Sequence, residues 1–321
     1  MNQDSSKLNP FPIKDCSPLD QGVSVYRNNV LTWVILLITG VGWGGSFSLA
    51  KIAVTNQGHP LGINYWQSLI GSAILLLYLV LTRQRLPLER SYILVYVVCG
   101  ALGSAIPGVL YFYAIIHVSP GVLAITMAMV PVMTFIAAAV TEIEPKSFLR
   151  FLGIGFGVLS IALLVAPSDS LPDRSAIPWV FAMIIASACY AAENIFIASR
   201  FPKKTNPLVI LCGMFIAATI MMTPFIVAMD AFVPFERPWR SSEWSIISLA
   251  FLSVVCYGLF VWLIVNAGPV FASQTAYLIT VSGVLWGILF FSEEHSVWVW
   301  ASLVSMLIAL ILVSSHRKTA P

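Results

Sequence analysis

The chain has 321 residues, 59% of them hydrophobic and only 10% charged, with a formal net charge of +3. Soluble domains carry about 25% charged residues, so an ordinary water-soluble fold is excluded, and there is no basic, aromatic-interleaved patch to suggest nucleic acid. The five cysteines (Cys16, Cys99, Cys189, Cys212, Cys256) are scattered, four of them in apolar runs, which suits neither a disulfide framework nor a metal knuckle.

Residues 1–28 are polar, proline-containing and aperiodic, and read as a flexible cytoplasmic tail. They do not read as a secretory leader, because the first apolar run begins only near Val30 and is full length. Ten apolar runs follow: 30–51, 63–82, 92–113, 120–141, 148–166, 177–198, 208–229, 245–266, 269–291 and 297–314. A run of about 20 residues crosses a hydrocarbon core of roughly 30 Å. Lipid offers the backbone no hydrogen bonds, so these runs are expected to be helices. The expected fold class is an all-α integral membrane protein with ten transmembrane helices.

The runs are written twice. A constant shift of 149 residues lays Pro120 on Pro269, Thr126 on Thr275, Glu144 on Glu293 and Ser147 on Ser296, and carries Phe47 to Phe196 and Lys51 to Arg200. Such self-similarity marks a duplicated unit, with a first five-helix repeat over 29–167 and a second over 176–315. With the N-terminus inside, thirteen lysines and arginines fall on the inner side and three (Arg174, Arg237, Arg240) on the outer. That bias places both termini in the cytoplasm. Five crossings per unit is an odd number, so the second copy is inserted upside down. Inverted repeats recur in secondary transporters, where one repeat rocks against the other.

Apart from Arg150, at the very start of the run 148–166 and read as part of the polar break before it, only Lys51 and Glu193 bring formal charge into the runs. A charge at mid-bilayer costs about 2.5–3.5 kcal/mol, which makes each a functional candidate. Glu193 shares a helical face with Ala186, Cys189, Tyr190, Ile197 and Arg200, a stripe suited to a cavity wall. It is expected to bind a cationic group of a substrate or to carry a coupling proton; the alternative is a structural carboxylate bonded to another helix. Lys51 stands at the outer end of its run, as an interfacial anchor or as an attractor of anionic substrate. Trp43, beside Gly44 and Gly45, is a candidate pathway wall. Pro107 and Pro131 each remove a helical hydrogen bond and should kink their helices. Gly40–Gly44, Gly153–Gly157 and Gly283–Gly287 are spaced for close helix packing. No GxxxxGK[ST], HExxH or GxSxG motif occurs, and His59, His117, His295 and His316 lie outside the runs without metal-ligand spacing. No enzyme activity, cofactor or metal is expected.

Trp43-Gly44 with Phe47 and Lys51 resembles the opening motif of the drug/metabolite transporter superfamily, specifically its EamA-type members. So does the series Tyr113-Ala114, Ala124, Pro131, Glu144 and Gly153, and the resemblance extends over about 30–314. It implies ten helices in inverted repeats, a central cavity lined by both halves, and export or exchange of small metabolites, amino acids or drugs. The chain departs from the pattern at Gln67, where an arginine is common, at Thr280 and Ser302, which answer Pro131 and Gly153, and at Glu193, which answers Gly44.

The expectation is therefore a secondary transporter of the cytoplasmic (inner) membrane. It would export or exchange amino acids or drug-like amphipathic compounds by alternating access, with protons as the coupling ion. Trp43, Ser46, Gln67, Glu193, Asn194, Gln274 and Tyr277 are the expected cavity residues. Two other readings stand beside it. An exchanger of sugar phosphates or nucleotide sugars would need cationic side chains, and only Lys51 and Arg200 offer them. A membrane sensor or scaffold would move nothing.

Overall fold

The computed structural model describes residues 30–55, 58–141, 147–171, 173–200, 205–235, 237–267 and 269–314. The 1–28 tail and Glu144 lie outside the described residues. Within them every regular element is helical. The first repeat comprises α1 (Val30–Thr55), α2 (Pro60–Leu81), α3 (Arg90–Gly100), α4 (Ile106–His117), α5 (Pro120–Met127), α6 (Met129–Val140) and α7 (Phe148–Val165). The second comprises α8 (Ile177–Arg200), α9 (Pro207–Ala228), α10 (Ser241–Ala267), α11 (Pro269–Ala272), α12 (Thr275–Phe291) and α13 (Val297–Ser314). Among the described residues nine helical stretches are long and apolar enough to span a bilayer, α3–α4 and α5–α6 each counting as one interrupted stretch. The tenth crossing is the shorter apolar α12, into which α11 leads.

A polar cap followed by proline sets the start of three helices, and in α2 it carries the helix three residues ahead of the apolar run expected from 63. His59, Ser119 and Asn206 accept from the amides of Leu61, Val122 and Leu208 at 3.3, 3.4 and 3.0 Å, and each precedes a proline. The cap satisfies an orphan N–H, and proline costs nothing where the N–H has no helical partner.

Both prolines expected to kink their helices lie beside an interruption of the helix. Pro131 has no N–H to give and its ring crowds the carbonyl of Met127; the helix breaks at Ala128, between α5 and α6. Before Pro107 the backbone widens into a π turn over Ala101–Ala105, with the Ile106 N–H reaching back to the Ala101 carbonyl. In the second repeat Thr280 replaces the proline, its Oγ1 donating to the Ala276 carbonyl at 2.8 Å, and α12 runs through that position unbroken. The break moves toward the N-terminus, to Ser273–Gln274.

Inversion is visible in the pairing of repeat-related helices. On α7 and α13, Gly153 lies against Ala309, the Ser305 hydroxyl donates to the Phe156 carbonyl at 2.8 Å, and the Ser160 and Ser302 hydroxyls stand 2.8 Å apart. One helix rises in number as the other falls, so they are antiparallel. The 149-residue shift carries Phe156 onto Ser305, and exchanges the Gly153–Ala309 contact with Ser160–Ser302. The pseudo-two-fold therefore passes through this crossing. α2 and α9 pair the same way, with Asn64 at Met222 and Gly71 at Phe215. Close approach at small residues supplies much of the packing in lipid, where hydrophobicity cannot. Arg150, expected in the polar break, is instead buried in the first turn of α7, its guanidinium 5.2 Å over the Phe135 ring.

Candidate functional site

The two repeats enclose a cavity of about 460 Å³, within the range of roughly 300–1,000 Å³ usual for small-molecule sites. Its walls come from both halves, chiefly α1, α2, the π turn and α4, and the α5–α6 break on one side, with α8, α9, α10 and α12 on the other. Aromatic side chains contribute to it: Trp43, Tyr111, Tyr190 and Tyr257 all line it, and the Trp43 ring packs 5.7 Å from Phe260. Among the described residues no lysine or arginine does.

Glu193 projects from α8 into this space. Its place is made by Gly103 of the π turn, where even a Cβ would collide with the carboxylate. Among the described residues no hydrogen bond or ion pair reaches that carboxylate. Asn64 of α2 serves the same turn. It is buried, and its amide donates to the Ser104 and Ala105 carbonyls at 3.2 and 3.3 Å. A helix interrupted before a proline leaves carbonyls short of donors, and Asn64 supplies one. Gly108 gives it room.

Of the residues expected in the cavity, Trp43, Ser46, Gln67, Glu193 and Asn194 line it. Gln67 donates to Ser253 at 3.0 Å and so bridges the halves. The Ser46 hydroxyl turns back to the Trp43 carbonyl at 2.6 Å, while the Ser46 carbonyl accepts from the Tyr111 hydroxyl at 3.4 Å. Asn194 donates to Thr134 at 3.2 Å. Gln274 and Tyr277 are not among the lining residues: Gln274 is the N-cap of α12, and Tyr277 packs on the main core. Tyr190 lines the cavity from the face it shares with Glu193, and Asn64, Tyr111, Ser253 and Tyr257 line it without having been singled out as site residues. Their signal was their polarity inside apolar runs.

Lys51 is occupied. Its ammonium donates to the Ile115 and Ile116 carbonyls at 2.7 and 3.2 Å, at the last turn of α4. Those carbonyls lack helical donors and carry the negative end of the helix dipole. Lys51 thus caps a helix of its own repeat.

The EamA-like transporter family matches the chain twice, over residues 31–166 and 177–315. The chain is similar to the uncharacterized inner membrane transporter YedA of Escherichia coli (strain K12), with 25% identity over 284 residues that cover 87% of this chain and 89% of the relative. The same likeness holds for YedA of the O157:H7 strain. A solved crystal structure shares the fold with a TM-score of 0.61 at 13% identity, covering 86% of this chain and 94% of its own.

Proposed function

Because the chain belongs to the EamA-like transporter family of membrane proteins, we propose that it is a secondary transporter of small metabolites, working by alternating access as an exporter or exchanger. The moving bodies are the two repeats, 29–167 and 176–315. The cargo is an amino-acid-like or amphipathic compound with a basic nitrogen, carried without covalent change. The membrane is the cytoplasmic one, with both termini inside.

One observation carries this reading: Glu193 offers to a cavity of small-molecule size a carboxylate that nothing among the described residues bonds. A carboxylate in that position can hold a proton or face a cation. Either gives it a task in transport, as the coupling group or as the anchor of an amine, with Trp43 and the three tyrosines as faces on which an ammonium can rest. A phosphate-bearing cargo is disfavoured, since Lys51 is engaged on α4 and Arg200 is not a lining residue. The scaffold reading has no such observation behind it.

The test is a pH jump on proteoliposomes carrying the wild type or Glu193→Gln, offered a panel of amino acids and amines. The wild type is expected to move protons only with a particular cargo, and the variant to lose that flux. Normal uptake by Glu193→Gln at every pH would remove the proposed role of the carboxylate.

A further inference from the structure

Along α12 the cavity ends at Thr280. One turn further, Gly283 meets α5 and α1 so closely that a Cβ on it would lie 2.5 Å from the Ala124 Cβ and 3.0 Å from the Phe47 ring. Beyond that layer is a second one. α12 ends at Ser292, whose left-handed φ of 51° turns the chain back over the helix. A non-glycine residue holds that conformation only where its surroundings enforce it. The turn brings Glu293 against Gly287, where a Cβ would stand 2.5 Å from Oε2. The same oxygen accepts from the Gly121 amide, in the first turn of α5, at 3.2 Å and lies 3.1 Å from His295 Nε2. The Glu293 and His295 side chains keep only 9% and 4% of their exposure. Gly121 leaves them room: a Cβ there would fall 2.7 Å from His295 Nε2 and 2.9 Å from Glu293 Oε2.

Glu293 belongs to the second repeat and Gly121 to the first, so this bond spans the seam that must part if the halves rock. We infer that Glu293 is a latch holding the bundle shut at this end, and that its release from the Gly121 amide is a step of the transport cycle. The inference rests on the alternating-access reading above. A carboxylate on an orphan amide at a helix N-terminus forms a charge-assisted bond, favoured again by the helix dipole. Among the described residues its other oxygen, Oε1, is buried without a hydrogen bond. Glu293 acts by positioning the halves and does not touch the cargo.

Hydrogen exchange on the full-length protein in lipid nanodiscs, without cargo, tests this. In Glu293→Gln, which keeps the side-chain shape, amides of α5 and of the end of α12 are expected to exchange about tenfold faster, together, as for a cooperative opening. The α7–α13 crossing should stay at its wild-type rate. Gly121→Ala, which forces the carboxylate away without altering it, should do the same and serves if the first variant fails to fold. Unchanged exchange in a folded variant overturns the latch. So does faster exchange spread equally over α7 and α13, the mark of a merely structural carboxylate. Because the readout needs no cargo, a failure of the transport assay with Glu193→Gln would leave this result standing by itself.

Discussion

Two glutamates of the second repeat are each seated on a glycine of the first, with opposite consequences. Glu193 lies on Gly103 and nothing among the described residues bonds it; Glu293 lies on Gly121, whose amide does. The packing device is the same. What differs is the backbone beneath. Gly103 sits inside an interrupted but continuous helical run, where amides are committed to carbonyls of the preceding turn. Gly121 is in the first turn of α5, where amides have no helical partner. A missing Cβ provides the space, and an orphan N–H decides whether the carboxylate is held or left free for other work.

Gly103→Ala is the strongest way to break that contrast. The methyl group occupies the place of the Glu193 carboxylate, so uptake into proteoliposomes should fall as far as in Glu193→Gln. Overpacking should also lower stability by about 1–3 kcal/mol in thermal unfolding. Wild-type uptake with that variant would show that the seat under Glu193 is immaterial. Lys51→Met sharpens the contrast from the other side. Losing the charged cap on α4 should destabilise by about 1.5–3 kcal/mol, while the relative uptake of amines and acids stays as in wild type. A shift in that ratio would mean that Lys51 meets the cargo. Ser302→Ala touches neither glutamate. It should lower stability by only about 0.6 kcal/mol, an average for hydrogen bonds between membrane helices, and leave transport rates unchanged. A slowed cycle there would assign the α7–α13 crossing more than packing.

Much of the fold was legible because lipid removes alternatives: the ten runs, the repeat and its inversion follow from length, offset and parity. Part of the cavity was legible for the same reason. A carboxylate such as Glu193 inside an apolar run has few places to go other than an internal space. Gln274 and Tyr277 show where this reasoning stops. The sequence shows Thr280 in the place of Pro131, but not where the break in the second repeat then settles; that depends on how α11 and α12 pack. Its move to Ser273–Gln274 turns Gln274 into a cap and Tyr277 onto the core. The seats at Gly103 and Gly121 were equally hidden, since each depends on a side chain from a distant helix.

The crossing of α7 and α13 maps onto itself when the halves are exchanged. Were the halves identical throughout, the same exchange would turn a molecule open to one side into one open to the other, and the two states would have equal free energy. Any resting preference must then come from positions where the copies disagree, such as Pro131 against Thr280, Gly44 against Glu193, or Gly121 against Val270. About 1.4 kcal/mol from such a pair suffices for a tenfold bias. On the proposed alternating-access reading, which side the empty carrier waits on is written in the mismatches between its two halves, and a substitution that restores the match at one of them should move that balance toward even.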